Sequence, residues 1–378
     1  SGRGGPPAAA ESVFEVTNMY PKVVIDLEKL SHNANWLSRM AAERGVTELA
    51  FVTKVFCADG EMVGTIAASP CRYLADSRVE NLARSGGMGK ERILLRLPMP
   101  SQAEEVVRAA EISFNSELAT LRALSRAAAE AGRVHKVVLM IDLGDLREGI
   151  FFQNEALVLE TAAMVEADAH LELFGTAFNL TCYGSVLPSE ENLAAFLAVT
   201  EKIEKQIGRQ LPFISGGNSS SIPLLLAGKM PGRINNLRLG EALVLGRETA
   251  YGADLDGMYG DAVRLEAEVV EVQVKPSYPI GEIGVNAFGE RGTYTDIGPR
   301  RRAIAAIGRQ DMDCDSLRPL QKGVSVVGAS SDHLIVDVTD CEKTVEVGDV
   351  LSFTMTYGGL LRGFTSGYVG RAYEHGAR

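Results

Sequence analysis

The chain is poor in the residues that most often mark metal, redox or membrane chemistry. It has five histidines in 378 residues, none at ligand spacing, which argues against a structural zinc site. Its five cysteines, Cys57, Cys71, Cys182, Cys314 and Cys341, are odd in number and scattered, with no C-x-x-C pair. That usage reads as reduced thiols in a cytoplasmic protein rather than a disulfide framework. No apolar run approaches the roughly 18 residues that span a bilayer. The formal net charge is −11, which excludes a nucleic-acid face. The one basic cluster, Arg300-Arg301-Arg302, leads into a strand pattern and reads as a solvated edge, an oligomer contact or an anion contact. Ser1 to Ala10 is rich in Gly, Pro and Ala and lacks an apolar h-region. Residues 1–20 therefore read as a disordered tail, not a secretory signal.

What is present is ordinary globular composition, 46% hydrophobic and 23% charged, in a chain long enough for two domains or for a barrel with an addition. Strand and helix patterns alternate from about residue 23 to 240. Val23–Leu27 is strand-like, and a helix follows from about Leu30 to Arg44, capped near Ser31 and stopped at Gly45. Further strands are expected at Leu49–Val52, Tyr73–Ala75, Ile93–Leu97, Ile112–Phe114, Val137–Ile141, Leu171–Phe178, Phe213-Ile214 and Leu237–Leu239. Between them lie helices at about Glu61–Ser69, Val79–Ser85, Gln102–Ala110, Ser116–Ala131, Ala156–Glu166, Glu190–Ile207 and Ile222–Leu226. Such alternation implies a parallel sheet, open or closed. No G-x-G-x-x-G follows the first strand, so the dinucleotide-binding version has no support. The expected fold is α/β, an N-terminal (β/α)8 TIM barrel over residues 21–250. Nine strand patterns compete for eight places, and Val23–Leu27 is the one assigned to the other domain. After Tyr251-Gly252 the texture becomes β-rich and broken by Gly, Pro and Asp turns, so residues 251–378 are expected to form an all-β domain.

The stretch Phe51-Val52-Thr53-Lys54-Val55-Phe56-Cys57 ends an apolar strand on a single lysine. An amine there is costly to desolvate as a cation. It either pairs with an acid or loses its proton and becomes a nucleophile, unless it simply leaves the strand for solvent. In a closed barrel the strand C-termini share one mouth. The same rule collects Arg147, in Asp142-Leu143-Gly144-Asp145-Leu146-Arg147-Glu148-Gly149, and Asn179. It adds the loop Gly216-Gly217-Asn218-Ser219-Ser220-Ser221, and Arg238-Leu239-Gly240-Glu241. A Gly/Ser loop opening a helix offers free N–H groups and hydroxyls to an anion, or is merely a turn. A Schiff-base lysine beside such a cradle suggests pyridoxal phosphate.

With these motifs in order over residues 20–373, the chain resembles the alanine-racemase-like, fold-type III pyridoxal phosphate enzymes. It is most like their ornithine-racemase branch in Phe51–Cys57, Asp142–Gly149 and Ile214–Ser221. The resemblance implies a homodimeric racemase that interconverts the L and D forms of a small amino acid. Ornithine or lysine is expected, with alanine or serine as alternatives. The β domain would complete the active site of the partner subunit. Lys54 would carry the cofactor as an aldimine and act as one catalytic base. Arg147 would bind the cofactor's phenolic oxygen and the substrate carboxylate, and Asn179 would stand where a ring-stacking histidine is usual. Asn218, Ser219, Gly240, Glu241 and Tyr357 would hold the phosphate. Arg238 would face the pyridine nitrogen, where the related decarboxylases place an acid, and so favours racemisation. Asp332 would approach the substrate carboxylate, or else is a turn residue. Asp145 or Glu148 would meet a distal ammonium, or else orients Arg147.

Three positions depart from the pattern. Met140 stands near a modified lysine's place, Ala58 where a tyrosine follows the cofactor lysine, and Phe288 where the partner subunit's catalytic tyrosine is expected. The second base is therefore sought in Tyr294 or in Cys182 and its neighbour Tyr183. Without one, the alternative is a non-catalytic cofactor carrier; a decarboxylase and a D-amino-acid lyase complete the readings.

Overall fold

The computed structural model describes residues 19–375. Most of the expected tail, residues 1–18, lies outside them. Ten strands occupy the first part of the chain: β1 (Lys22–Asp26), β2 (Ala50–Val52), β3 (Tyr73–Asp76), β4 (Glu91–Leu94), β5 (Ile112–Asn115), β6 (His135–Asp142), β7 (Ile150–Phe151), β8 (Leu171–Ala177), β9 (Phe213–Ser215) and β10 (Arg238–Leu239). Eight of them pair in parallel, in the order β10-β2-β3-β4-β5-β6-β8-β9, with β7 added beside β6. Ser215 bridges to Asn236, one turn of chain before β10, and closes the ring. This is the eight-stranded barrel expected from the alternation.

Its two-layer core follows from the period of a strand. Ala50, Val52, Tyr73, Ala75, Ile93, Ile112, Phe114, Val138, Met140, Ala177 and Phe213 fill the barrel. The alternate residues, such as Val137, Leu139 and Ile141 of β6, face Val106, Leu121, Leu124 and Phe196 on the surrounding helices. Strands buried on both faces have no polar side to show, which is why β6 reads as one apolar run. Gly175 lies where β8 meets β9: a Cβ there would come within 1.9 Å of the Phe213 carbonyl oxygen.

The helices fall near their expected places, and Glu190–Ile207 and Ile222–Leu226 match in both bounds. The first differs at its start. It runs Leu27–Ala42 and is capped by Asp26, whose side chain accepts from the N–H groups of Glu28 and Lys29. Ser31 lies inside it. Asp26 caps more effectively because a carboxylate also complements the positive end of the helix.

By contacts the chain forms two units. One contains Ile25–Arg264 together with Thr354–Thr365. The other contains residues up to Val24, Leu265–Phe353 and Ser366–Tyr373. The boundary read from composition at residue 250 thus falls earlier than this division. Thr354–Thr365, including the whole helix Tyr357–Thr365, belongs to the barrel unit although it lies within the stretch expected to be all β. The second unit is built on an antiparallel sheet in the order β13 (Leu317–Pro319), β16 (Val350–Met355), β11 (Val263–Pro276), β12 (Pro299–Ala305), β15 (Leu334–Asp337), β14 (Ser325–Ala329). β1 pairs with β11 and with β17 (Gly370–Glu374), so Lys22–Asp26 is a strand of this sheet and not of the barrel.

Candidate functional site

Lys54 is positioned by an abrupt stop. β2 ends at Val52, the Thr53 N–H donates to Ala75 O at 2.8 Å, and Lys54–Phe56 form a single 3-10 turn. The Thr53 hydroxyl donates to the buried Asp76 carboxylate at 2.6 Å. Burial pushes the Asp76 carboxyl above its ordinary range, against the pull of its Thr53, Arg78 and Asn81 donors. Cys57 and Ala58 then adopt left-handed backbone, with φ of 52° and 49°. Asp59 caps the helix Gly60–Ala67 that follows. The Lys54 Nζ sits 5.7 Å from the ring centre of Tyr357, and Phe56 packs edge-on against Phe364 of the same helix. The Tyr357 phenol is pushed up from its ordinary value by burial, with Lys54 pulling the other way.

The non-glycine residues at positive φ are Cys57, Ala58, Leu146, Thr181 and Ser185 among the described residues. All follow the C-terminal ends of β2, β6 and β8. Strain of this kind costs about 1–3 kcal/mol per residue and persists where the surroundings over-determine it, most often at functional sites.

Around this mouth lies one cavity of about 1010 Å³. Lys54, Arg147, Asn179, Cys182, Asn218, Ser219, Arg238, Gly240, Glu241 and Tyr357 all line it. Arg238 is buried, at 4% exposure. Its guanidinium donates to the Ser215 hydroxyl, to Phe178 O at 2.8 Å and to the Asn179 Oδ1 at 3.3 Å. Its plane lies 5.1 Å from the ring of Phe114. Burial pushes its pKa down to about 10, still well above neutral. Ser215 passes the chain of bonds on to Asn236. Asn218 donates to Asn179 Oδ1 and Leu180 O, both at 3.0 Å, and contacts Cys182 Sγ at 3.4 Å.

Arg147 and Glu148 form a two-pronged ion pair, with Nη2 to Oε1 at 2.5 Å. Burial works against the Arg147 charge, and Glu148 more than restores it. Asp145 is spoken for differently. Its Oδ1 accepts from the N–H groups of Thr181 and Val186, and its Oδ2 from that of Tyr183. It fixes the loop that carries Cys182, and its carboxylate is committed to that backbone.

Tyr294 and Asp332 belong to the other unit. Tyr294 is half exposed and packs edge-on to Tyr278 at 6.3 Å. Phe288 lies 4.7 Å from the Arg309 guanidinium, which also binds Glu290. Asp332 accepts from the hydroxyl of its neighbour Ser331 at 2.7 Å and sits in the turn before β15.

Three charged cavity residues escaped the sequence reading. Arg96, beyond the end of β4, is only partly exposed and lies among the lining groups. Its position in Leu95-Arg96-Leu97, the polar break after an apolar strand, is the same signal that marked Lys54. Arg247 pairs with Glu241 at 2.9 Å. Glu248 holds the backbone of Ala250, Tyr251 and Ala253. Both lie beyond the helix Glu241–Leu245 that follows β10, away from the strand end that would have announced them.

The lining fits a phosphorylated pyridine aldehyde. It offers one amine, a turn whose Asn218 side chain caps Ser220 at 2.8 Å, and a close approach at Gly240, where a Cβ would meet Val52 at 3.1 Å. Asn179 Nδ2, buried and without a partner, is left as an orphaned donor.

Residues 25–248 match the family model for the alanine racemase N-terminal domain. Two relatives match nearly end to end. An ornithine racemase of Acetoanaerobium sticklandii is 46% identical over 351 residues, covering 93% of this chain and 99% of the relative. A lysine racemase of Thermotoga maritima is 39% identical over 358 residues, covering 94% and 99%. Among solved structures, the alanine racemase of Bartonella henselae with covalently bound pyridoxal phosphate superposes with a TM-score of 0.70. It is 17% identical, covering 94% of this chain and 99% of that one.

Proposed function

We propose, from the premise that the chain belongs to the alanine racemase family, that it interconverts the L and D forms of ornithine or lysine. It is a pyridoxal-phosphate-dependent amino-acid racemase. The observation that carries the substrate reading is the cavity itself. It brings one amine, a pair of strand-end arginines and several carboxylates within reach of a molecule bearing a carboxylate and two amines.

Pyridoxal phosphate, when bound, withdraws electrons from Cα and makes its proton removable. Lys54 would hold the cofactor through its amine and, once the substrate amine has displaced it, would move the Cα proton on its own face. Tyr357, Ser219, Asn218 and the backbone of Gly240 and Glu241 would hold the phosphate. Arg238, whose pKa burial lowers only to about 10 and which therefore stays a cation at neutral pH, would face the ring nitrogen and disfavour its protonation. Asn179, with its orphaned Nδ2, would stand beside the ring. Arg147 takes the substrate carboxylate.

Inversion needs an acid–base group on the opposite face as well. Two are carried forward. Cys182 Sγ is supplied by the barrel itself, on a loop locked by Asp145. Tyr294 would come from the β unit of a partner subunit, with Asp332 beside it at the substrate carboxylate. The second arrangement requires a homodimer with shared sites. Reduced thiols fit a reducing, cytoplasmic setting, and no described helix is long and apolar enough to cross a membrane.

The test is borohydride reduction followed by peptide mass spectrometry, then deuterium exchange at Cα of L-ornithine, L-lysine and L-alanine with chiral chromatography. A phosphopyridoxyl group on Lys54, with exchange and inversion fastest on ornithine or lysine, supports the reading. A trapped cofactor without exchange on any amino acid leaves a carrier in its place.

A further inference from the structure

Four carboxylates stand in or beside the cavity, and three have fixed duties. Both oxygens of Asp145 are taken by backbone N–H groups. Those of Glu248 are likewise taken by Ala250, Tyr251 and Ala253. Glu241 pairs with Arg247 and acts on the Tyr357 phenol, so it lies at the end assigned to the phosphate.

Glu148 differs in kind. It pairs with a side chain, Arg147, and side-chain partners can be exchanged. The Arg147 side chain is 42% exposed and that of Glu148 only 20%. Glu148 is thus enclosed enough that losing its counter-ion is costly. Its charge also acts favourably on Arg238, and both side chains line the same cavity.

We propose that Glu148 is the specificity residue for the substrate's distal ammonium, and that recognition proceeds by exchange of ion pairs. The internal Arg147–Glu148 pair opens, the substrate carboxylate takes Arg147, and the substrate's side-chain ammonium takes Glu148. No charge is left alone. A neutral amino acid takes Arg147 as well but strands Glu148, and a site with a buried polar group left unpaired rejects that ligand. The exchange selects diamino acids over their neutral isosteres without any wall of the cavity having to measure side-chain shape. It rests on the racemase reading above.

The experiment compares wild type with Glu148→Gln and Glu148→Asp on L-ornithine, L-lysine and L-norvaline, which is ornithine without its distal amine. Cα exchange and competitive inhibition are read, with cofactor content checked for each protein. Glu148→Gln should lower kcat/KM for ornithine and lysine by about 30-fold or more. Norvaline, as substrate or inhibitor, should not weaken and should improve, because no carboxylate is left stranded. Glu148→Asp should recover part of the ornithine activity. An equal fall on all three ligands would mean that Glu148 only orients Arg147, and would overturn the proposal, as would no fall at all. A wild type that loads cofactor yet exchanges no amino acid would sink the racemase reading first, and is told apart by failing before any substitution is made.

Discussion

Replacing Asp145 by asparagine tests whether one buried carboxylate holds the loop that carries Cys182. Asp145 is 1% exposed. It receives Thr181 N–H at 3.1 Å and Val186 N–H at 3.1 Å on Oδ1, and Tyr183 N–H at 3.0 Å on Oδ2. Hydrogen bonds to a charged group contribute about 1.5–3 kcal/mol each. Asparagine has the same shape but only one acceptor. Its better orientation keeps the amide oxygen on Thr181 and Val186 and turns NH2 against the Tyr183 N–H. One bond is lost and two donors face each other, a cost of about 2–4 kcal/mol. The barrel strands do not depend on this carboxylate, so the cost falls on local opening of residues 180–186. Those amides should open roughly 30- to 1,000-fold more often.

Hydrogen exchange read by mass spectrometry on a peptide spanning 180–186 measures this directly. Thermal melting should move far less. Racemisation should fall with the loop, because Asn218 bonds to Leu180 O and meets Cys182 on it. Gly184→Ala should loosen the same lock, since a Cβ there would meet the Asp145 carbonyl oxygen at 2.7 Å. Protection of the 180–186 amides within about threefold of wild type in Asp145→Asn would refute the reasoning.

Cys182→Ser and Tyr294→Phe separate the two candidates for the opposite face. The variant that removes the true base should lose deuterium incorporation from one enantiomer while keeping it from the other, and the remaining variant should keep both. Arg238→Met should abolish inversion yet leave stability within about 2 kcal/mol. Removing a cation whose pKa is pushed down to about 10 relieves about 3 kcal/mol of burial cost, which offsets the hydrogen bonds lost. Urea melts alongside chiral assays check both halves. His135 gives the pH limb. Burial pushes its pKa down to about 4 from an ordinary 6.5, so the unfolded chain takes up a proton that the folded one refuses. Stability should therefore fall as pH drops from 6.5 towards 4, by at most about 3 kcal/mol. Urea melts across that window should flatten in His135→Gln.

Much of the fold was legible because a strand covered on both faces and a helix covered on one leave different periods. The eight barrel strands and nearly all of the helices appear in that pattern. Lys54, Arg147, Asn179, Asn218 and Arg238 could be gathered by one rule, that parallel strands closing into a ring end at a single mouth. Where the reading slipped, the cause was a choice between near-equal local signals. Asp26 and Ser31 both cap helices, and only the backbone path selects the aspartate. Asp145 and Glu148 were equivalent acids in the sequence. In the fold one is consumed by backbone N–H groups and the other faces an arginine.

The sequence alone determined the barrel, the sheet that follows it, the lysine and the order of the anchors, because periodicity and motif spacing are local. Tertiary structure decided which of those anchors are free to act. It brought the helix Tyr357–Thr365 back to the Lys54 turn from more than 300 residues away. It also strained the loops that present Cys57 and Cys182, and it tied Asp145 down while leaving Glu148 an exchangeable partner. Those outcomes depend on where distant backbone groups come to rest, and no local pattern carries that information.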